Sequence, residues 1–298
     1  AILGMTASMV PTAKQVSFAE GMNEQGLSFS MNWLNNSTSP LVGTDDSKIL
    51  GVNDLGAWIL GNFKTVAEVK AAMTSGSTQF WVPIVPFLDP SSPMPQHYAI
   101  NDKSGGSIVI EFMHGKTNVY DNPVGVMTNG PEFPWHLENL SNYTFTNKDK
   151  NTGQLGKLKL ATQDAGIALT ALPSAQTSQG RFVKAAFYAN YVQKAKTPEQ
   201  AIITLGHIMN NFDRPKDLTV DDAGGVGDGT RTKAISSEVT VWTVMNDLSR
   251  NLYYLRTINA LNWSVIDMNQ LKEVKTIKSI STNDVDKSGA DVFSLFLK

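Results

Sequence analysis

Period-two alternation is clearest over residues 27–34, where Leu27, Phe29, Met31 and Trp33 alternate with Ser28, Ser30 and Asn32. That spacing predicts a strand with Trp33 on its apolar face. Residues 2–10 are apolar at nearly every position, as in a strand covered on both sides. Residues 15–20 read as a strand between these two. Residues 22–26 read as a turn in which Gly26 takes positive φ. The three segments predict an antiparallel meander. Ile108, Ile110 and Phe112 alternate within residues 107–113, which pair as a hairpin with residues 117–120 across His114, Gly115 and Lys116. Residues 79–85 form a short strand broken by Pro83, and the proline-rich residues 86–95 form a loop. Three further strands follow at residues 236–245, 251–258 and 262–268, with Arg250 and Asn251 near the first turn. Between them, residues 143–177 are irregular apart from a weak strand at 155–160.

Helical spacing appears elsewhere. Leu55, Trp58, Ile59 and Asn62 mark a helix to Phe63, capped by Asn53 or Asp54. Thr65, with Glu68 three residues on, opens a second helix to Met73. Ser178 is placed as the cap of a helix over residues 179–193. Thr197, Pro198 and Gln200 open another that runs to about Asn211. Residues 213–232 read as a loop. No repeat and no convincing linker divides the chain. The expectation is one α+β domain, with antiparallel sheets carrying helices on their outer faces.

One segment stands apart, DNPVGVMTNGPEFPWHLENLSNY at residues 121–143. The apolar run at residues 124–127 reads as a strand end. It stops at Thr128-Asn129-Gly130-Pro131, which is turn chemistry. A helix then starts near Pro134, its apolar face carrying Trp135 or His136 with Leu137 and Leu140. Asn129 either supplies turn geometry alone or presents a fixed amide in front of the sheet edge.

Composition narrows the chemistry. The 298 residues carry a formal net charge of −2, and no basic block marks a nucleic-acid surface. There is no cysteine, so thiol nucleophiles, thiolate zinc sites and disulfides are excluded within this sequence. A cysteine-free chain suits either redox environment, and the cytoplasm and periplasm stay equally open. No apolar run is long enough to span a bilayer. His97, His114, His136 and His207 lack zinc spacing and are expected in structural or surface roles; no metal or cofactor is expected. The glycines at 224–229 lack the ending of a phosphate loop and precede a strand, so they form a flexible loop rather than a nucleotide site. Arg181 is unusual. A cation in the first turn of a helix opposes the helix dipole at a cost of about 0.3–1 kcal/mol. It is either a solvated residue paired with a carboxylate or part of a site.

Several segments together resemble one family. VMTNGPEFPWHL (126–137), NEQGL (23–27), RFVKAAF (181–187), VWTVMND (241–247) and LYYLR (252–256) are similar to segments of penicillin V acylases and conjugated bile acid hydrolases, in the family's order. The resemblance covers nearly the whole chain. It implies an N-terminal-nucleophile hydrolase with an αββα layered fold, often tetrameric, in which a first-residue cysteine attacks a linear amide and its own α-amine acts as base. Asn129 matches the oxyanion-hole asparagine. Arg181 matches the arginine that orders the nucleophile. Trp33 falls where a backbone N–H completes the oxyanion hole, a position that is aromatic in the acylases and usually asparagine in the bile salt enzymes. The implied substrate is a small amide with an apolar, preferably aromatic, acyl group. Family members open with Cys, then Arg and an Asp-Trp pair, whereas this chain opens with AILG, which resembles an internal strand. The expectation is a domain incomplete at its N-terminal side, with the nucleophile segment upstream. The alternative is a non-catalytic homologue that retains the acyl pocket.

Overall fold

The computed structural model describes residues 1–6, 17–85, 92–144, 152–161, 166, 169–222, 235–288 and 293–297. The glycine-rich stretch at 224–229, positions 7–10 of the first expected strand and most of the proline-rich loop lie outside them.

The larger sheet has six antiparallel strands in the order β1-β2-β3-β6-β7-β8. These are β1 (Ile2–Thr6), β2 (Phe18–Asn23), β3 (Leu27–Trp33), β6 (Gln96–Asp102), β7 (Ser107–Met113) and β8 (Lys116–Asp121). The expected meander forms β1 to β3, and Gly26 takes φ +86° at its second turn. Between β3 and β6 come β4 (Ile49–Gly51), α1 (Leu55–Asn62), α2 (Val66–Thr74) and β5 (Gln79–Trp81), with β4 and β5 paired in parallel. After β8 come α3 (Phe133–Asn139), the hairpin β9 (Thr152–Leu155) and β10 (Leu158–Ala161), α4 (Ser178–Tyr191) and α5 (Pro198–Met209). A second small pair joins β11 (Val220–Asp222) to β12 (Ile235–Ser237). The other principal sheet is β13 (Trp242–Asp247), β14 (Leu252–Thr257) and β15 (Ser264–Asp267), followed by α6 (Thr282–Ser288) and α7 (Phe293–Phe296).

Side-chain alternation sets the layers. Phe29, Tyr98, Ile100, Ile108, Ile110 and Phe112 leave one face of the large sheet and pack with Leu55, Ile59, Val69 and Met73 of α1 and α2. From the other face, Met22, with Leu3 and Met5, meets Tyr253, Leu255 and Ile266 of the small sheet. Beyond the small sheet, Met245 lies against Gly206 of α5. The order is therefore helix, sheet, sheet, helix, the α+β sandwich expected.

Several expectations need correction. β2 runs three residues past Glu20, because Asn23 belongs to the strand rather than to the turn. Its Nδ2 donates to the Leu60 and Phe63 carbonyls at 2.9 and 2.8 Å, and its Oδ1 accepts from Gln25 and Leu27 N–H. That one side chain ties the β2–β3 turn to the end of α1. Residues 124–127 are not a strand: Asn122 Oδ1 accepts from Val124 and Gly125 N–H, and Gly125 takes φ +66°. α4 begins one residue early, with Thr177 rather than Ser178 as its cap. The weak strand near Leu155 is a hairpin, and residues 236–245 split between β12 and β13. β6, at the middle of the sheet, has no counterpart in the sequence reading.

Candidate functional site

The loop from Thr128 to Phe133 crosses the end of β3 on one side and the start of α4 on the other. Asn129 sits in it with every polar group bonded. Its N–H donates to Ser178 Oγ at 3.0 Å, and its C=O accepts from His136 Nε2 at 2.9 Å. Its Oδ1 accepts from an Arg181 terminal nitrogen at 2.7 Å, and its Nδ2 donates to the Trp33 carbonyl at 2.9 Å. Arginine only donates and a carbonyl only accepts, so these two neighbours fix which way the amide faces.

Trp33 adds a second donor on the same side. Leu34 N–H donates to the Pro95 carbonyl, which makes that cross-strand pair the hydrogen-bonded type. The neighbouring pair, Trp33 with Gln96, is then the other type. The N–H and C=O of Trp33 both point away from β6, and the C=O is the one that meets Asn129. The indole is half-buried and donates to Asn35 Oδ1 at 2.7 Å.

Arg181 lies in the first turn of α4. Its Nε donates to the Gln176 carbonyl at 3.1 Å, so its bonding partners are Asn129 and a carbonyl rather than the carboxylate that a solvated arginine would find. Burial lowers its pKa, and the like charge of Arg214 lowers it further, against a smaller opposing effect of Glu238. It stays a cation. Arg214 itself is paired with Glu238.

Asn129, Arg181 and Trp33, named from the sequence, are thus brought together by direct bonds. The supports around them were not foreseen. Ser178, freed from capping by Thr177, holds Asn129 N–H and lies 3.0 Å from Thr128 Oγ1. His136 stacks on Phe182 of α4 at 4.5 Å. Because Asn129 C=O accepts from its Nε2, its Nδ1 is the unprotonated nitrogen, and this atom is buried without a partner. Burial holds its pKa below the usual histidine value. The Glu132 carboxylate accepts from His114 at 2.9 Å. The adjacency of Ser178 to a second hydroxyl in the sequence was the one available signal for its role. Among the described residues no cluster of acidic or histidine side chains is arranged to hold a metal, and no helix is long and apolar enough to cross a membrane.

Antiparallel sheets stacked between helices are the layering of the N-terminal-nucleophile hydrolase fold. Solved structures of that fold superpose on the chain. A variant of the conjugated bile acid hydrolase from Clostridium perfringens matches with a TM-score of 0.75 and 28% identity, over 94% of this chain and 81% of the other. Penicillin V acylase from Agrobacterium tumefaciens matches with a TM-score of 0.63 and 25% identity, over 86% of this chain and 68% of the other. A bile salt hydrolase/transferase of Clostridium perfringens is 31% identical over 281 residues, 90% of this chain and 80% of the relative. The model of linear amide C–N hydrolases, choloylglycine hydrolase family, matches residues 1–281. The chain belongs to that family.

Proposed function

We propose that this chain forms the amide-polarising part of a hydrolase for a linear amide whose acyl group is apolar and preferably aromatic, as in a penicillin V acylase. Conjugated bile salts and acyl-homoserine lactones are the next candidates. The observation that carries this reading is the Asn129 amide, held between the Arg181 guanidinium at 2.7 Å and the Trp33 carbonyl at 2.9 Å. Its Nδ2 carries two hydrogens and the bond to Trp33 uses one.

In this reading a cysteine outside these residues attacks the substrate carbonyl. Its α-amine takes the thiol proton and passes it to the leaving amine, and water, giving its proton to the same α-amine, then attacks the thioester to release the acid and restore the thiol. The oxyanion accepts from Asn129 Nδ2–H and Trp33 N–H, and Arg181 holds the amide in register while its field favours the negative charge. Donors fixed in place need no rearrangement as charge develops. The aromatic ring at Trp33 supports the preference for an aromatic acyl group. A homo-oligomer, a tetramer as in the family, belongs to the same proposal.

The test is amine release by the natural protein from phenoxyacetyl amides, glycine- and taurine-conjugated bile salts and acyl-homoserine lactones. Fastest release from the phenoxyacetyl amide is expected. Binding of all three with no release would leave the second reading, a non-catalytic acyl-binding homologue.

A further inference from the structure

Beneath the Asn129 loop lies a pair of titratable side chains that the reaction does not touch. The register of β6 and β7 sets His97 opposite Glu111. Both project from the sheet face opposite α1 and α2, and they are 1% and 0% exposed. His97 Nδ1 lies 3.0 Å from Glu111 Oε1. His97 Nε2 lies 3.0 Å from the Thr128 carbonyl, and Glu111 Oε1 accepts from Phe133 N–H at 2.9 Å. Thr128 is the residue before Asn129, and Phe133 is the first residue of α3. The two ends of the loop therefore rest on two side chains that are bonded to each other.

We propose that His97 and Glu111 are positioning residues, a buried cross-strand pair that holds both ends of the loop carrying Asn129. The proposal rests on the reading of Asn129 as the oxyanion donor. The bonding leaves one proton arrangement for the outer atoms. The Thr128 carbonyl only accepts, so His97 Nε2 carries a hydrogen. Phe133 N–H only donates, so Glu111 Oε1 accepts. The Nδ1 to Oε1 contact then needs a proton between the two atoms, and all three bonds stand whichever atom carries it.

Stability alone does not account for the pair. Two apolar residues of similar volume fill such a place in a sheet at lower desolvation cost. Glu111 Oε2 is buried with no partner, which adds to that cost. What the pair supplies that apolar residues cannot is directed bonding to a carbonyl on one side of Asn129 and an N–H on the other. Those bonds set where the Asn129 amide lies relative to Trp33 and Arg181.

Glu111→Gln tests this with volume kept. The imidazole and carboxyl share one proton that glutamine does not bring. The amide oxygen still accepts from Phe133 N–H, but with His97 Nε2–H kept for the Thr128 carbonyl the Nδ1 contact has no hydrogen and is lost. In the natural protein, with rates normalised to active sites by titration, kcat is expected to fall 10- to 100-fold while KM stays within about two-fold. A second readout does not need turnover: exchange of the Asn129 side-chain amide hydrogens, followed by NMR, should speed at least ten-fold. His97→Gln is the substitute should the first variant not fold, with the same expected result. Unchanged kcat per active site, or unchanged amide exchange, overturns the proposal. If the parent releases no amine from any substrate, the functional reading fails by itself. The exchange measurement then decides the positioning role alone.

Discussion

Asn129 is held by four bonds from four residues on three elements: Trp33 of β3, His136 of α3, and Ser178 and Arg181 of α4. A side chain so placed loses little freedom when a substrate arrives, and this is what an oxyanion donor requires. Asn129→Ala in the natural protein should lower kcat by about 10²–10³ and leave substrate affinity nearly unchanged. Single-turnover kinetics separate the two, and equal acylation in variant and parent would remove Asn129 from the role. A second residue-scale effect concerns Glu20 on β2. Burial between the sheets raises its pKa from 4.5 to about 7, partly offset by the hydrogen bond from Trp242 Nε1 at 3.1 Å. A carboxyl with a raised folded pKa binds its proton more tightly in the folded state than in the unfolded chain. Its effect on stability is thus absent below pH 4.5, grows unfavourable as pH rises to about 7, and is constant above. The ceiling is about 3 kcal/mol. Denaturant unfolding at several pH values should show this decline in the parent and a flatter profile in Glu20→Gln.

Elements whose geometry is set by neighbours in sequence were legible. Thr65 accepts from Glu68 N–H while the Glu68 carboxylate accepts from Thr65 N–H, the reciprocal box its spacing predicts. Thr65→Ala should cost about 1 kcal/mol and lower Tm by about 2–4 °C, measured by calorimetry, with the site geometry unchanged. Elements set by distant partners were not legible. β6 reads QHYAIND, with Pro95 before it and polar residues at four of seven positions. Yet Gln96 accepts from Tyr98 OH, His97 meets Glu111, and Asp102 accepts from Val66 N–H of α2 at 2.8 Å. Polar residues can line a buried strand once such partners exist, and hydrophobic periodicity does not register them. The opposite error arose at residues 124–127, where an apolar run reads as a strand. Asn122 turns it, and Val124, Val126 and Met127 pack with Phe133 and Phe182 instead. The site followed the same division. Turn chemistry singled out Asn129 and an ill-placed charge singled out Arg181, and family resemblance gave them roles and added Trp33, whereas the bonds of Ser178, His97 and Glu111 form only when strands and helices far apart in sequence meet.

At the scale of the whole molecule the two sheets are unequal, and the inequality leaves an opening. Among the described residues β1 pairs with β2 alone and forms one edge of the six-stranded sheet. Glu24 N–H donates to the Ala1 carbonyl, so this first cross-strand pair is hydrogen-bonded and the backbone groups of Ile2 and Gly4 point outward. Beside that edge lies a cavity of about 1100 Å³, lined by Leu3 and Met5 of β1, Leu60 of α1, and Leu255 and Ile266 of the small sheet. A strand edge with free N–H and C=O groups next to apolar surface is a template for pairing with another chain. The 298-residue chain on its own should therefore bind a hydrophobic dye and self-associate with rising concentration in sedimentation velocity. Ile2→Lys puts a charge on the edge at a residue 39% exposed, and should weaken the association without lowering Tm. A parent chain that stays monomeric across the concentration range and excludes the dye would mean that this edge and cavity are covered in solution by the chain itself.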